Sequence, residues 1–271
     1  TRFGPTPLSV LVIGPTGAGK GLVAQALHAS SRRKGRFVVT NVAALGDGLI
    51  ESELFGHVRG AFTGATGSRQ GLVQHSDHGT LFLDEIHRLS ATAQPKLLRV
   101  LETQLVRPVG SDTEVRSDIR VVTAANEDLE TLVDAGRFQG DLLARLARLV
   151  IPVPPLVDHV EDIPPLAERF LNGLEGFSGA RFTLAALDAL KEYDWPRNVR
   201  ELQVVVERAA ILCDRRWIDR ADVVAAIQIG GPGAVRARQQ EAGAAAMAGG
   251  AGPIGRREQQ LRDALQASGG K

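Results

Sequence analysis

The sequence predicts an α/β fold with a parallel sheet flanked by helices, followed by a small all-helical domain. Three observations carry this. Short apolar runs alternate with helical patterns through about the first 155 residues. A glycine-rich turn, "GPTGAGK" (14–20), joins the first apolar run to the first helix. Beyond that region, from 156 to 229, only helical patterns recur.

The elements follow in order. "LSVLVIG" (8–14) is apolar and ends in glycine, as a buried parallel strand does. "KGLVAQALHAS" (20–30) is a helix expected to bury Leu22, Val23, Ala26 and Leu27. "RFVVT" (36–40) is a second strand and "GLIESELFG" (48–56) a short helix. "GTLFLDE" (79–85) is a third strand that turns abruptly acidic. "AQPKLLRVLET" (93–103) is a helix with Pro95 near its start, where proline is tolerated. "LVRPVG" and "EVRSDIRVVTAAN" flank a polar "SDT" and predict a hairpin leading into a fourth core strand. "DLLARLARL" (141–149) is helical, and "VIPVPPL" is an extended stop.

Four helices are expected next, with Asp162 as a cap and Pro164 and Pro165 in a first turn. The expected boundaries are 1–155 for the α/β domain and 156–229 for the helical domain. A Gly/Ala-rich linker (230–257) comes next, and 258–271 starts an amphipathic helix carrying Leu261 and Leu265. The first residue is threonine, as expected of a piece of a longer protein.

Composition narrows the function. Of 271 residues, 44% are hydrophobic, enough for a sizeable core, and only 4% aromatic, so that core is mostly aliphatic. A formal net charge of +1 argues against a whole-chain electrostatic grip on nucleic acid or membrane. The single cysteine, Cys213, rules out an internal disulfide and fits a reducing compartment. No apolar run approaches the ~18 residues of a membrane span.

Residues Gly14, Pro15, Thr16, Gly17, Ala18, Gly19 and Lys20 match the phosphate-binding pattern G-x-x-x-x-G-K between a strand and a helix. Glycines let backbone N–H groups converge on phosphate oxygens, the helix N-terminus adds its positive dipole end, and the lysine reaches the terminal phosphates. Gly21 stands where the pattern usually has a hydroxyl for Mg²⁺. Asp84 and Glu85 alone read as a solvated strand end. With the phosphate loop upstream they read as a metal-shell carboxylate and a group that activates water. Asn126 ends another strand, either as a γ-phosphate sensor or as a turn residue. Arg145, Arg148 and Arg200 are solvated surface charges or nucleotide-site cations.

One stretch fits none of this. "GAFTGA" (60–65) sets a lone aromatic ring among residues that favour neither helix nor strand. Either the ring plugs a turn or something must touch it.

Together, "GPTGAGK", "ELFGHVRGAFTGA" (53–65), "GTLFLDEI" (79–86), "PPL" with "EDI", and "WPRNVREL" resemble the AAA+ domain of sigma-54-dependent transcription activators, the bacterial enhancer-binding proteins. The resemblance covers about residues 8–229. It implies a cytoplasmic bacterial ATPase that binds ATP and Mg²⁺, assembles as a ring, usually a hexamer, and remodels closed promoter complexes of the sigma-54 RNA polymerase holoenzyme. By resemblance Gly60, Ala61, Phe62, Thr63, Gly64 and Ala65 tip a loop that contacts sigma-54, with Phe62 and Thr63 as contact residues. Asn41 holds Glu85 until the loop engages, Arg145 is a finger reaching a neighbour's nucleotide, and Arg200 is the lid's sensor. Gly21 and Asn126 complete the nucleotide contacts, and Asp84 the metal site. The last residues resemble the first helix of a Fis-type helix-turn-helix domain, which implies enhancer DNA as a partner.

The departures cluster around the nucleotide and the subunit interface. Gly21 replaces an acidic residue, Gln139 an arginine, Pro15 a glutamate and Ala125 a threonine. Val157-Asp158-His159 stands where the family has arginines after "PPL". These changes leave an alternative, a hydrolysis-deficient, ATP-gated sigma-54 binding module.

Overall fold

The computed structural model describes residues 3–46, 48–213 and 216–229. The expected linker and the expected start of a helix-turn-helix domain lie outside the described residues. Two compact units divide the described residues: those up to 160 with 197–201, and 161–196 with those from 202 to 229.

The first unit runs β1 (Val10–Ile13), α1 (Lys20–Ala29), β2 (Phe37–Asn41), α2 (Ile50–Phe55), β3 (Gly56–His57), β4 (Arg69–Gln70), α3 (Leu72–His75), β5 (Thr80–Asp84), α4 (Ala93–Thr103), β6 (Leu105–Val106), β7 (Val115–Arg116), β8 (Arg120–Ala125), α5 (Leu129–Asp134), α6 (Gly140–Leu146) and β9 (Leu149–Pro152). Five of these strands form one sheet in the order β2-β5-β8-β1-β9. Every pairing in it is parallel.

Burial on both faces explains the continuous apolar runs. Successive residues alternate between two cores. Leu11, Leu81, Leu83 and Val121 face a larger core with Leu54, Phe55, Leu97, Val100, Leu142 and Leu146 from the helices. Val10, Val12, Phe82 and Val122 face a smaller one with Ala24 and Leu27 of α1.

Two sequence expectations need correcting. The extended stop "VIPVPPL" supplies a fifth strand, β9, and its edge position tolerates Pro152 at the end. Helix α1 buries Leu27 and half-buries Val23 as expected, but it also buries Lys20 and Ala24 and leaves Ala26 exposed and Leu22 63% exposed. The lysine takes the inward turn, which rotates the apolar stripe.

Arg120 is fully buried at the start of β8. Its guanidinium donates to the carbonyls of Phe3, Gly4 and Leu8 at 2.7, 2.7 and 3.2 Å. A buried charge is tolerable only when its donors are satisfied, and here backbone carbonyls do that while tying residues 3–8 to the sheet.

The second unit holds α7 (Ile163–Asn172), β10 (Arg181–Phe182), α8 (Leu184–Lys191), α9 (Asn198–Leu212), β11 (Trp217–Ile218) and α10 (Arg220–Gln228), with the first residues of α9 counted in the first unit. The two short strands pair in parallel. Asp162 occupies the N-cap of α7 with a proline in the first turn, but its side chain makes no capping bond. Thr183 caps α8, and Asp219 with Asp222 forms a capping box on α10. The buried Trp195 indole donates to Leu190 O at 2.8 Å.

His28 lies in the first unit, stacked on Phe37 at 5.3 Å and 2.9 Å from Thr80 Oγ1. Burial, then the charges of Arg33 and Arg120, push its imidazole below the ordinary range. Burial likewise lowers His87. The unfolded chain therefore takes up protons from about pH 6.5 downward that the fold refuses, and stability falls with pH in that window. Glu51 and Asp118 carry lowered carboxyl values and act only at more acidic pH. The thermal midpoint should drop between pH 7 and pH 5.5, and His28→Asn should reduce that slope. A midpoint flat across the window in the parent chain would contradict this.

Candidate nucleotide site and surface loop

Parallel strands deliver their C-terminal residues to one edge. With β8 between β1 and β5, the turns after these three strands are neighbours across about 10 Å, two strand spacings.

The turn after β1 is the glycine-rich loop. Gly17 and Gly19 have φ of +80° and +97°, a region that side chains other than glycine rarely adopt. Gly14 N–H donates to Ala125 O at 3.2 Å, and Ala18 N–H to Pro15 O at 3.3 Å, which fix the loop to β8 and close its turn. Gly19 caps α1, so the helix N-terminus opens onto the loop. Lys20 Nζ donates to the carbonyls of Gly14 and Pro15 at 2.9 and 3.0 Å, folding the ammonium into the loop. Burial lowers the lysine's proton affinity, Asp84 and Glu85 oppose that, and Arg200 adds to it. All four charges therefore belong to one electrostatic neighbourhood. Gly21 lies in α1 at an ordinary φ, and a Cβ there would meet only Phe82, at 3.8 Å. Neither space nor backbone requires glycine at that position.

The turn after β5 carries Asp84 and Glu85. Asp84 Oδ1 accepts from the Glu85 N–H at 3.0 Å. Glu85 has φ +55° and ψ +47°, a costly left-handed conformation for a side-chain-bearing residue. Asn41 ends β2 in register with Asp84. Its Oδ1 accepts from Ala43 N–H at 2.9 Å and caps the turn leading to α2. Among the described residues no hydrogen bond joins Asn41 to Glu85. After β8, Asn126 Nδ2 donates to Thr16 Oγ1 at 3.0 Å.

Arg200 N–H donates to Gly17 O at 3.3 Å. Sequence reasoning missed its neighbour Asn198, buried at φ +54°. Asn198 Nδ2 donates to Thr16 O at 2.9 Å, and its Oδ1 accepts from Leu156 N–H at 2.8 Å. The available signal was an asparagine after "WPR", a residue that tolerates a left-handed turn.

Arg145 sits elsewhere. It pairs with Glu102 at 3.1 Å and lines a cleft with Arg148, Ser9, Ile119 and Val121. Ser9 precedes β1 and Ile119 precedes β8, so the cleft lies at the opposite edge of the sheet, about 20 Å away along a six-residue strand. Gln139, the N-cap of α6, is exposed, and its N–H donates to the buried Gln94 at 2.8 Å.

The loop "GAFTGA" lies between β3 and β4, an antiparallel pair. Gly60 and Gly64 have φ of +82° and +98° with open space around them, so backbone conformation alone favours glycine there. Gly60 N–H donates to Ala65 O, and Ala65 N–H to Phe62 O, closing a tight turn. Ala65 is buried; Thr63 is exposed and Phe62 is 41% exposed. One edge of Phe62 meets His57 at 5.1 Å, and His57 Nδ1 lies 2.8 Å from Ser52 Oγ in α2. The lone ring is thus seated at one side and open at the other. The β6–β7 hairpin supports the loop: Val58 N–H donates to Val109 O, and Gly110 approaches Ala61 so closely that a Cβ would lie 2.7 Å from the alanine methyl.

Among the described residues no three His, Cys, Asp or Glu side chains cluster as a protein-only metal site. Mg²⁺ does not need one, because it commonly takes one or two carboxylates with phosphates and water. Asp84 beside the glycine loop fits that pattern. No described helix is long and apolar enough to cross a membrane.

The family model "Sigma-54 interaction domain" matches residues 1–152, and "AAA+ ATPase lid domain" matches 158–240. The chain is 48% identical over 223 residues to nitric oxide reductase transcription regulator NorR1 of Cupriavidus necator, covering 81% of this chain and 43% of that protein. It is 46% identical over 233 residues to transcriptional regulatory protein ZraR of Klebsiella oxytoca, covering 84% and 52%. The chain thus spans about half the length of these curated relatives. Crystallised NtrX from Brucella abortus in complex with ADP superposes with a TM-score of 0.75 at 34% identity, covering 82% of this chain and 50% of that one. The chain belongs to the sigma-54-dependent activator family and carries its AAA+ interaction domain and lid.

Proposed function

We propose that the chain is an ATP-hydrolysing module that assembles as a ring, usually hexameric in its family, and drives the "GAFTGA" loop against sigma-54 in the RNA polymerase holoenzyme. The observation that carries this reading is the split site. Lys20, Asp84, Glu85 and Asn126 gather at one sheet edge, while Arg145 stands at the other. One chain cannot bring Arg145 to its own phosphates, but a neighbour can.

Bound ATP–Mg²⁺ supplies the reactive phosphoanhydride and part of the charge neutralisation. Lys20 and the loop N–H groups of Thr16, Gly17 and Gly19 would hold the phosphates. Asp84 orients the metal's water shell. Glu85 would accept the proton of the water that attacks the γ-phosphate, and a neighbour's Arg145 would steady the charge that builds as the bond to ADP breaks. Asn126 and Arg200 sense the γ-phosphate. Asn41 links this edge to the loop: it stands beside Asp84, caps the turn before α2, and α2 carries β3. Phe62 and Thr63 are the contact residues, and their exposure supports that role. Enhancer DNA is a further partner of the whole protein, and the setting is the bacterial cytoplasm.

Gly21 and Gln139 favour a second reading, an ATP-gated binding module with little hydrolysis. Subunit mixing separates the two. Glu85→Gln should cost roughly 10²–10⁴ in turnover, and Arg145→Ala roughly 10³–10⁵. Mixing the two variants should restore part of the turnover, because an intact Glu85 then meets an intact Arg145. Failure to recover any would contradict the shared site.

Thr63→Ala should keep ATP turnover within about twofold, since residue 63 is exposed on the loop, yet lose activation of transcription from a sigma-54 promoter. Retained activation would contradict the loop assignment.

A further inference from the structure

His87 lies two residues beyond Glu85, in the turn that follows β5. Its side chain is only 2% exposed. Nδ1 is buried without a hydrogen-bond partner among the described residues. Nε2 lies 3.6 Å from Glu127 Oε1. Glu127 directly follows Asn126, whose amide holds Thr16 of the glycine loop. A buried imidazole with an unsatisfied nitrogen is destabilising, and an apolar side chain would avoid that. The imidazole bridges the two turns that carry the water-activating and phosphate-sensing residues.

We propose that His87 is a positioning residue, which through Glu127 couples the Asn126 turn to the Glu85 turn, so that γ-phosphate contact and water activation are set together. This inference rests on the nucleotide-site reading above. His87 touches no reacting atom, because its side chain is enclosed. Its action runs through Glu127 on one side and the backbone of the Glu85 turn on the other. Loss of the coupling should weaken binding of the γ-phosphate more than binding of the rest of the nucleotide.

The test compares His87→Phe, His87→Gln and Glu127→Gln with the parent chain and the His87→Phe/Glu127→Gln double variant. Affinities for ADP and for a non-hydrolysable ATP analogue are measured alongside ATP turnover and thermal midpoint. His87→Phe keeps the volume and loses the polar contact with Glu127. It should lower the ATP-analogue-to-ADP affinity ratio roughly two- to fivefold, the size of one partly exposed polar contact, and lower kcat more than KM changes. His87→Gln should restore most of both, and the double variant should be no worse than His87→Phe alone. An unchanged ratio in a folded His87→Phe variant, or additive losses in the double variant, would overturn the proposal. So would a His87→Phe chain whose midpoint collapses while His87→Gln folds and shows the same loss of ratio. A parent chain that binds both nucleotides but turns over no ATP would sink the hydrolysis reading, and the affinity ratio alone would then decide the role of His87. A parent chain that binds neither would sink both.

Discussion

A parallel strand buried on both faces can end only at a sheet edge, and every strand beside it ends at the same edge. That constraint governs this molecule. The order β2-β5-β8-β1-β9 sets the turn after β8 between the glycine loop and the acidic turn. Asn126 therefore meets Thr16, and Lys20 feels the charges of Asp84 and Glu85, although these residues are far apart in sequence. The same geometry sends Arg145 to the far edge. Under the proposed reading, a site that needs both edges needs a second chain.

Of the six described non-glycine residues at positive φ, two lie at the candidate nucleotide site. Glu85 and Asn198 both sit at positive φ, and both are held by surroundings that leave little alternative. Glu85 follows a strand buried on both faces, and Asn198 is pinned between Leu156 and Thr16. Gly21 is the contrary case. Nothing around it demands glycine, so its missing side chain is a difference of chemistry rather than of packing. The surface loop is held by few contacts. Two glycines set the turn, Ala65 anchors it, and His57 steadies one edge of Phe62 while the rest of the ring stays open.

Much of this was legible in the sequence because parallel strands and the glycine loop leave strong local marks. An apolar run ending in glycine or in Asp-Glu announces a strand and its edge in a few residues. What escaped depends on contacts distant in sequence. β9 was hidden because Pro152 and its neighbours read as a stop, and only an edge position beside β1 makes them a strand. The inward turn of Lys20 shifted the buried face of α1 away from Leu22, since periodicity alone gives charged residues to the solvent. Asn198 and His87 look like surface residues until the fold sets Thr16 beside one and Glu127 beside the other. The hexapeptide was legible as a turn because its residues suit no regular element, but those residues alone left open whether Phe62 plugs the turn or faces outward.

The central claim is that the catalytic site is completed by a neighbouring chain. ATP turnover per chain, measured across protein concentrations beside a Lys20→Ala control, tests it most directly. The account predicts turnover per chain that rises steeply with concentration and vanishes in the control. Turnover per chain that is independent of concentration would mean that one chain holds a complete site, and would contradict the account.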